Sequence, residues 1–211
     1  MTAVAPLVLV VDDDPSVRKS LTRLLASADY TVEAFASAQE FLAREPHPGP
    51  CCLVLDVRMP GLTGIQLQEL LAATGRRMSI VFVTGHADVP TSVKAMKAGA
   101  VDLLTKPVDV EDLIAAIHRA VTRDEHDRAS EARLAEVRRR VGMLTAREVE
   151  VFARVVTGML NKQIGAVLGI GEKTVKVHRA RVMEKMQAGS VAELVRLADR
   201  AGVVVPQSKV H

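Results

Sequence analysis

The chain has only two cysteines in 211 residues, Cys51 and Cys52, and they are neighbours inside an apolar run. That spacing suits neither a disulfide framework nor a common zinc arrangement, so both thiols are expected to be reduced and buried. Long hydrophobic runs are also missing. The longest near the start, Ala3 to Val11, is too short to cross a bilayer, has no basic segment before it and stops at Asp12. The expectation is a soluble, cytoplasmic protein without a membrane partner. Glycine and proline are absent from Val108 to Val141, which leaves nothing to break a helix there. Finally, no lysine or arginine precedes Arg18. Asp12, Asp13 and Asp14 therefore end the first apolar run without a local counter-charge.

What is present is enough apolar material for real cores, with 48% hydrophobic residues in a length that suits two ordinary domains. Charge is divided along the chain. Residues 1–122 hold 11 Lys+Arg against 14 Asp+Glu, and residues 123–211 hold 17 against 11, so a −3 segment precedes a +6 segment. The second is the candidate for polyanions. Short runs rich in valine, leucine and isoleucine occur at Leu7 to Val11, Thr31 to Phe35, Cys51 to Leu55, Ile80 to Val83 and Val101 to Leu104, with helical-period segments between them. Such alternation predicts an α/β fold, a doubly wound five-stranded parallel sheet covered on both faces. The expected domains are 1–122, a charged helical linker over 123–142 in which Leu134, Val137 and Val141 leave room for a short helix pairing, and a small all-α domain over 143–211.

In an open parallel sheet, side chains at the C-terminal strand ends converge on one crevice. Those positions hold Asp12 and Asp13, then Asp56, Thr84 and Lys106. Three carboxylates drawn together need a cation, and an all-oxygen site with few protein ligands suits Mg2+. The same group suits phosphoryl transfer onto a carboxylate. Asp56 is the expected acceptor; Asp13 is expected to ligate Mg2+ directly and Asp12 directly or through water, with Asp56 and the Arg58 backbone carbonyl supplying further oxygens, while Lys106 pairs with the phosphoryl group and Thr84 hydrogen-bonds it. Asp14, just before Pro15, is read as a helix cap. A Mg2+-dependent phosphatase working through an aspartyl phosphate is the alternative, but that class places its nucleophile after the first strand in a DxD pattern. A non-enzymatic phospho-acceptor is preferred.

The basic segment opens with "MLTAREVEVF", in which Thr145 and Glu148 form a capping box ahead of a helix expected to turn Val149, Phe152 and Val156 inward. "GMLNKQIGAVLGIGEKTVKVHRARVMEKM" then predicts a helix from about Asn161 to Leu168, a turn at Gly169 to Gly171 and a longer helix, a helix-turn-helix. On the longer helix Val175, Val182 and Met186 share one side. Lys173, Thr174, Lys176, Val177, Ala180 and Arg181 are the candidate contacts to double-stranded DNA. His178 is read as a packing or backbone-bonding residue. Gly165, inside the first of the two helices, is expected to weaken it by roughly 0.5–1 kcal/mol.

Through "VVDDD", "LVLDVRMPGLTG", "VTGHADV" and "AMKAGAVDLLTKP", the first part resembles the receiver domain of two-component response regulators, closest to the FixJ branch of the FixJ/NarL type. "LTAREVEV", "GMLNKQIG" and "KTVKVHRARVMEKM" resemble a LuxR-type DNA-binding domain, in which alanine is usual where Gly165 stands. The resemblance implies strand order 2-1-3-4-5, a cis Lys106–Pro107 bond, a sensor histidine kinase as phosphoryl donor, promoter DNA and RNA polymerase as partners, and a homodimer formed on phosphorylation. It points to Val93, Met96 and Val101 for pairing in the first domain, and to the last helix, with Val191, Leu194 and Leu197, in the second. Leu103 stands where the family usually has Phe or Tyr, so an aromatic switch is not expected.

Overall fold

The computed structural model describes residues 5–85 and 88–203; His86 and Ala87 of the VTGHADV segment lie outside them. Two compact units divide after Arg128. The first contains β1 (Leu7–Val11), α1 (Pro15–Ser27), β2 (Thr31–Phe35), α2 (Ala38–Leu42), β3 (Cys51–Asp56), α3 (Gly64–Ala73), β4 (Ser79–Thr84), α4 (Val89–Lys97), β5 (Asp102–Thr105) and the start of α5 (Val110–Gly142). Every strand pairing is parallel, and the order is β2-β1-β3-β4-β5.

The central strands are apolar without interruption because both faces are covered. Leu7, Leu9 and Val11 join Cys51, Leu53, Leu55, Ile80 and Phe82 in a layer under α2, α3 and α4. The intervening residues Val8, Val10, Cys52, Val54, Val81 and Val83 fill a second layer under α1 and α5. The two cysteines therefore point to opposite faces, both buried and reduced. β2 departs from the continuous pattern, with Thr31, Glu33 and Ala34 exposed, as an edge strand allows. Val101 precedes β5 instead of opening it, and half-buries against the second layer.

Helix starts follow the local chemistry. Asp14 caps α1, accepting from the amides of Ser16 at 2.7 Å and Val17 at 3.3 Å, with Pro15 in the first turn. Thr63 and Gln66 form a capping box on α3. Gly64 opens that helix because a Cβ there would lie 2.1 Å from the Asp56 carbonyl oxygen. Only glycine lets α3 begin so close to the end of β3.

The second unit contains the end of α5, then α6 (Ala146–Val155), α7 (Asn161–Leu168), α8 (Glu172–Met186) and α9 (Val191–Ala201), around a third apolar core. As the missing glycine and proline suggested, α5 runs unbroken to Gly142. Val137 and Val141 pack into the third core, so they are not available for a helix pairing. The inner face of α6 also differs from the expectation. Val151, Phe152 and Val155 are buried with Glu148, whereas Val149 is exposed. The capping-box glutamate lies on that buried face and meets Lys185 at 2.6 Å.

Candidate functional site

β1, β3 and β4 are adjacent, so the loops after their C-terminal ends share one crevice. Asp12 is 1% exposed and Asp56 8%, while Asp13 is exposed at the rim. One carboxylate oxygen from each lies within 4.8 Å of the others. The Lys106 ammonium reaches between two of them, at 2.6 Å from Asp12 Oδ2 and 2.7 Å from Asp56 Oδ2. It is delivered there by the Lys106 backbone amide, which donates to the Thr84 carbonyl at 2.8 Å, ahead of a cis Lys106–Pro107 bond. Thr84 is buried at the end of β4. The Arg58 amide donates to Asp56 Oδ1 at 3.1 Å. Four of the five strand-end residues singled out in the sequence thus meet in one place, and Thr84 adjoins them through its backbone carbonyl.

Burial raises the Asp12 carboxyl above its ordinary value, against the hydrogen bonds from Lys106 and the Asp14 amide that favour its charge. Burial also acts against the Lys106 ammonium, but its bonds to Asp12 and Asp56 outweigh this and raise its pKa. Lys106 therefore stays cationic. An oxygen-only donor set of three carboxylates, open at Asp13, fits Mg2+, which takes few protein ligands and keeps its waters.

One cation was not anticipated here. The Arg18 guanidinium donates to the Asp12 carbonyl at 2.7 Å, a helix-to-loop contact that spacing alone does not specify. Farther along the chain, buried Asp124 accepts from the Cys51 amide at 2.9 Å and from Arg128 at 2.6 Å, tying α5 to the start of β3. The i,i+4 spacing of Asp124 and Arg128 was a readable signal for the second bond only.

In the second unit, α7 ends at Gly169 with φ +65°, and α8 follows. Val175, Val182 and Met186 are buried as expected, and Lys173, Thr174, Lys176, Val177, Ala180 and Arg181 are exposed. α8 is fastened at several points: Arg179 donates to Asn161 Oδ1 at 3.1 Å, Lys185 meets Glu148 at 2.6 Å, and Arg140 donates to the Met186 carbonyl at 3.2 Å. His178 Nδ1 is buried without a hydrogen-bond partner, so the residue packs without backbone bonding through that nitrogen. Side chains cap α1, α2, α3, α4, α6 and α9, and Asp109 caps α5; α7 and α8 have no side-chain cap. The first-turn amides of these two helices suit phosphate oxygens.

The dimer candidates divide. Val93 and Met96 are 45% and 46% exposed on α4, whereas Val101 is half-buried against its own core. Leu194 is fully buried, and Val191 and Leu197 pack around it in the third core. Leu194 is thus committed to its own domain's core, while Val191 and Leu197 stay half-buried at its edge.

Comparison with known proteins agrees with both halves. Residues 8–118 match the response regulator receiver domain, and residues 142–198 match the bacterial regulatory proteins of the luxR family. The chain is 45% identical to the transcriptional regulatory protein FixJ of Bradyrhizobium diazoefficiens, over 93% of this chain and 96% of that protein. It is 44% identical to nodulation protein W of the same organism, over 93% and 87%. Among solved structures, the response regulator StyR superposes with a TM-score of 0.84 at 43% identity, covering 93% of this chain and all of that one. Full-length FixJ from B. japonicum gives 0.57 at 44% identity, covering 96% and 100%. With an acidic crevice at the strand ends of its sheet and an exposed basic helix in its second unit, the chain belongs to the FixJ-type response regulators, DNA-binding proteins that join a receiver domain to a LuxR-type helix-turn-helix.

Proposed function

We propose that Asp56 accepts a phosphoryl group from a sensor histidine kinase and that this acylphosphate controls promoter binding. The observation that carries the reading is Lys106 bridging Asp12 and Asp56 at 2.6 and 2.7 Å beside a third carboxylate. An Asp56 oxygen would attack phosphorus, forming a P–O bond as the P–N bond to the donor imidazole breaks and its electron pair leaves with the nitrogen. Lys106 and Thr84 would then bind the phosphoryl oxygens, and the Arg58 amide would keep Asp56 oriented. Asp12, Asp13, Asp56 and the Arg58 carbonyl would hold Mg2+, which when bound neutralises charge on the transferring group.

The output follows from the second unit. Lys176 and Val177 would face base edges in the major groove, Ala180 would lie close beside them, and Lys173, Thr174 and Arg181 would contact phosphates. Phosphorylation would pair two chains through α4, where Val93 and Met96 are exposed. The receiver would span residues 1–122, joined by the 123–142 helix to the DNA-binding domain, and the dimer would act with RNA polymerase in the cytoplasm. Asp56→Asn tests the acceptor: radiolabelled acetyl phosphate in Mg2+ is expected to label the wild type and leave the variant unlabelled with its fold intact. Full labelling of the variant would reject Asp56.

A further inference from the structure

We propose that Arg18 is a positioning residue for Asp13, the exposed member of the acidic cluster. The inference rests on the reading that this cluster binds Mg2+. Asp12 and Asp56 are held by Lys106, but Asp13 makes no such bond; among the described residues its carboxylate has no hydrogen bond or ion pair. Its direction is therefore set by the backbone on either side. The peptide before it has its oxygen pinned, since the Arg18 guanidinium donates to the Asp12 carbonyl at 2.7 Å. The peptide after it has its N–H pinned, since the Asp14 amide donates to Asp12 Oδ1 at 2.9 Å.

Two fixed peptide planes leave Asp13 little freedom other than its own side-chain rotamer. They aim it to within 4.8 Å of the Asp12 and Asp56 oxygens. Arg18 can do this because α1 is itself anchored next to the site, with its cap at Asp14 and the Arg18 amide bonded to the Asp14 carbonyl at 3.0 Å. The guanidinium thus returns from the second turn of the helix to the loop that precedes it. It also supplies positive charge beside three carboxylates, and that charge alone would oppose a cation. The two effects have opposite signs for Mg2+, which makes them separable.

The test is Mg2+ titration by calorimetry on the full chain and on Arg18→Met and Arg18→Lys. Arg18 is half-buried on a helix that methionine suits, so the fold should persist. If Arg18 acts by positioning, Arg18→Met raises the Mg2+ dissociation constant roughly tenfold or more. Arg18→Lys, whose ammonium can reach the same carbonyl, recovers most of the loss. Equal or tighter Mg2+ binding by Arg18→Met overturns the positioning role while the wild-type site stands. A wild-type chain that binds no Mg2+ overturns the site and the role of Arg18 together.

Discussion

Glu148 illustrates how much one side chain can carry. It accepts from the Thr145 amide at 2.8 Å, closing the cap of α6, and its same oxygen meets Lys185 near the end of α8 at 2.6 Å. The bond to Lys185 is the main reason its pKa falls from 4.5 to about 2, with the Thr145 amide second. A depressed carboxyl stabilises the fold above its unfolded pKa and loses that contribution as pH falls through the folded one. Thermal unfolding of the full chain should therefore show Glu148→Gln destabilised by about 1–3 kcal/mol at neutral pH. The gap to wild type should narrow as pH is lowered from 4.5 towards about 2. A gap that stays constant over that window would mean the ion pair contributes nothing. Recognition residues make a second prediction at this scale. Lys176→Ala should lose about 1–3 kcal/mol on the preferred site and discriminate less between sites. Arg181→Ala should weaken all sequences alike and lower the salt slope by roughly one. Binding isotherms on specific and random duplexes that move together for both variants would reject this division of roles.

The strand-end residues were legible because two rules place them: an unbroken apolar run that stops at a polar residue marks where each central strand ends, and parallel order brings those ends together. Arg18, Glu148–Lys185 and Asp124–Cys51 were not, since they depend on side chains meeting across a fold, in the last case over 73 positions. Glu148 is buried where Val149 is exposed, and folding α9 onto its own core removed Leu194 from the surface; hydrophobic spacing records that a face is buried, never against what.

Among elements, α7 and the turn after it show a reversal of a local rule. A glycine inside a helix ordinarily costs stability, and Gly165 was expected to do so here. Its missing side chain instead admits the next segment: a Cβ would lie 2.7 Å from the Ile170 carbonyl oxygen and 3.7 Å from Val175 Cγ2. The Gly165 carbonyl also accepts from the Ile170 amide at 3.0 Å. The turn therefore folds directly onto the helix at this position. Gly165→Ala gains helix propensity of up to about 1 kcal/mol but overpacks the turn, which typically costs about 1–3 kcal/mol. The net expectation is a lower melting temperature and an α8 displaced enough to weaken specific DNA binding more than non-specific binding. A more stable variant with unchanged specificity would show that the turn yields freely.

For the whole molecule, the relevant quantity is how many phosphate contacts one binding event makes. Residues 123–211 carry the net +6 and residues 1–122 the net −3, so attraction to DNA belongs to the second part. If phosphorylation pairs two chains, a duplex with two half-sites meets two basic helices in one event. The slope of log K against log salt changes by about 0.9 per phosphate neutralised. It should therefore roughly double between unphosphorylated and phosphorylated protein on the same DNA, as measured by fluorescence anisotropy. An unchanged slope with tighter binding would indicate that phosphorylation frees a monomer without pairing it.

Cys51 and Cys52 stand at consecutive positions of one strand, one in each apolar layer, both sealed from solvent. Burial pushes each thiol up, Cys52 the further, so neither reacts while the sheet is closed. Their alkylation by iodoacetamide consequently times the opening of the receiver from two sides. Cys51, whose sulfur also meets Arg128 of α5 at 3.5 Å, is released when the layer beneath α2, α3 and α4 parts and that contact opens, and Cys52 when α1 and α5 lift away. Both thiols lie in the first unit, and the 211-residue chain has no tryptophan. A single tryptophan added to the second unit would give an independent optical signal, and the same unfolding run would then follow three separate regions of the chain.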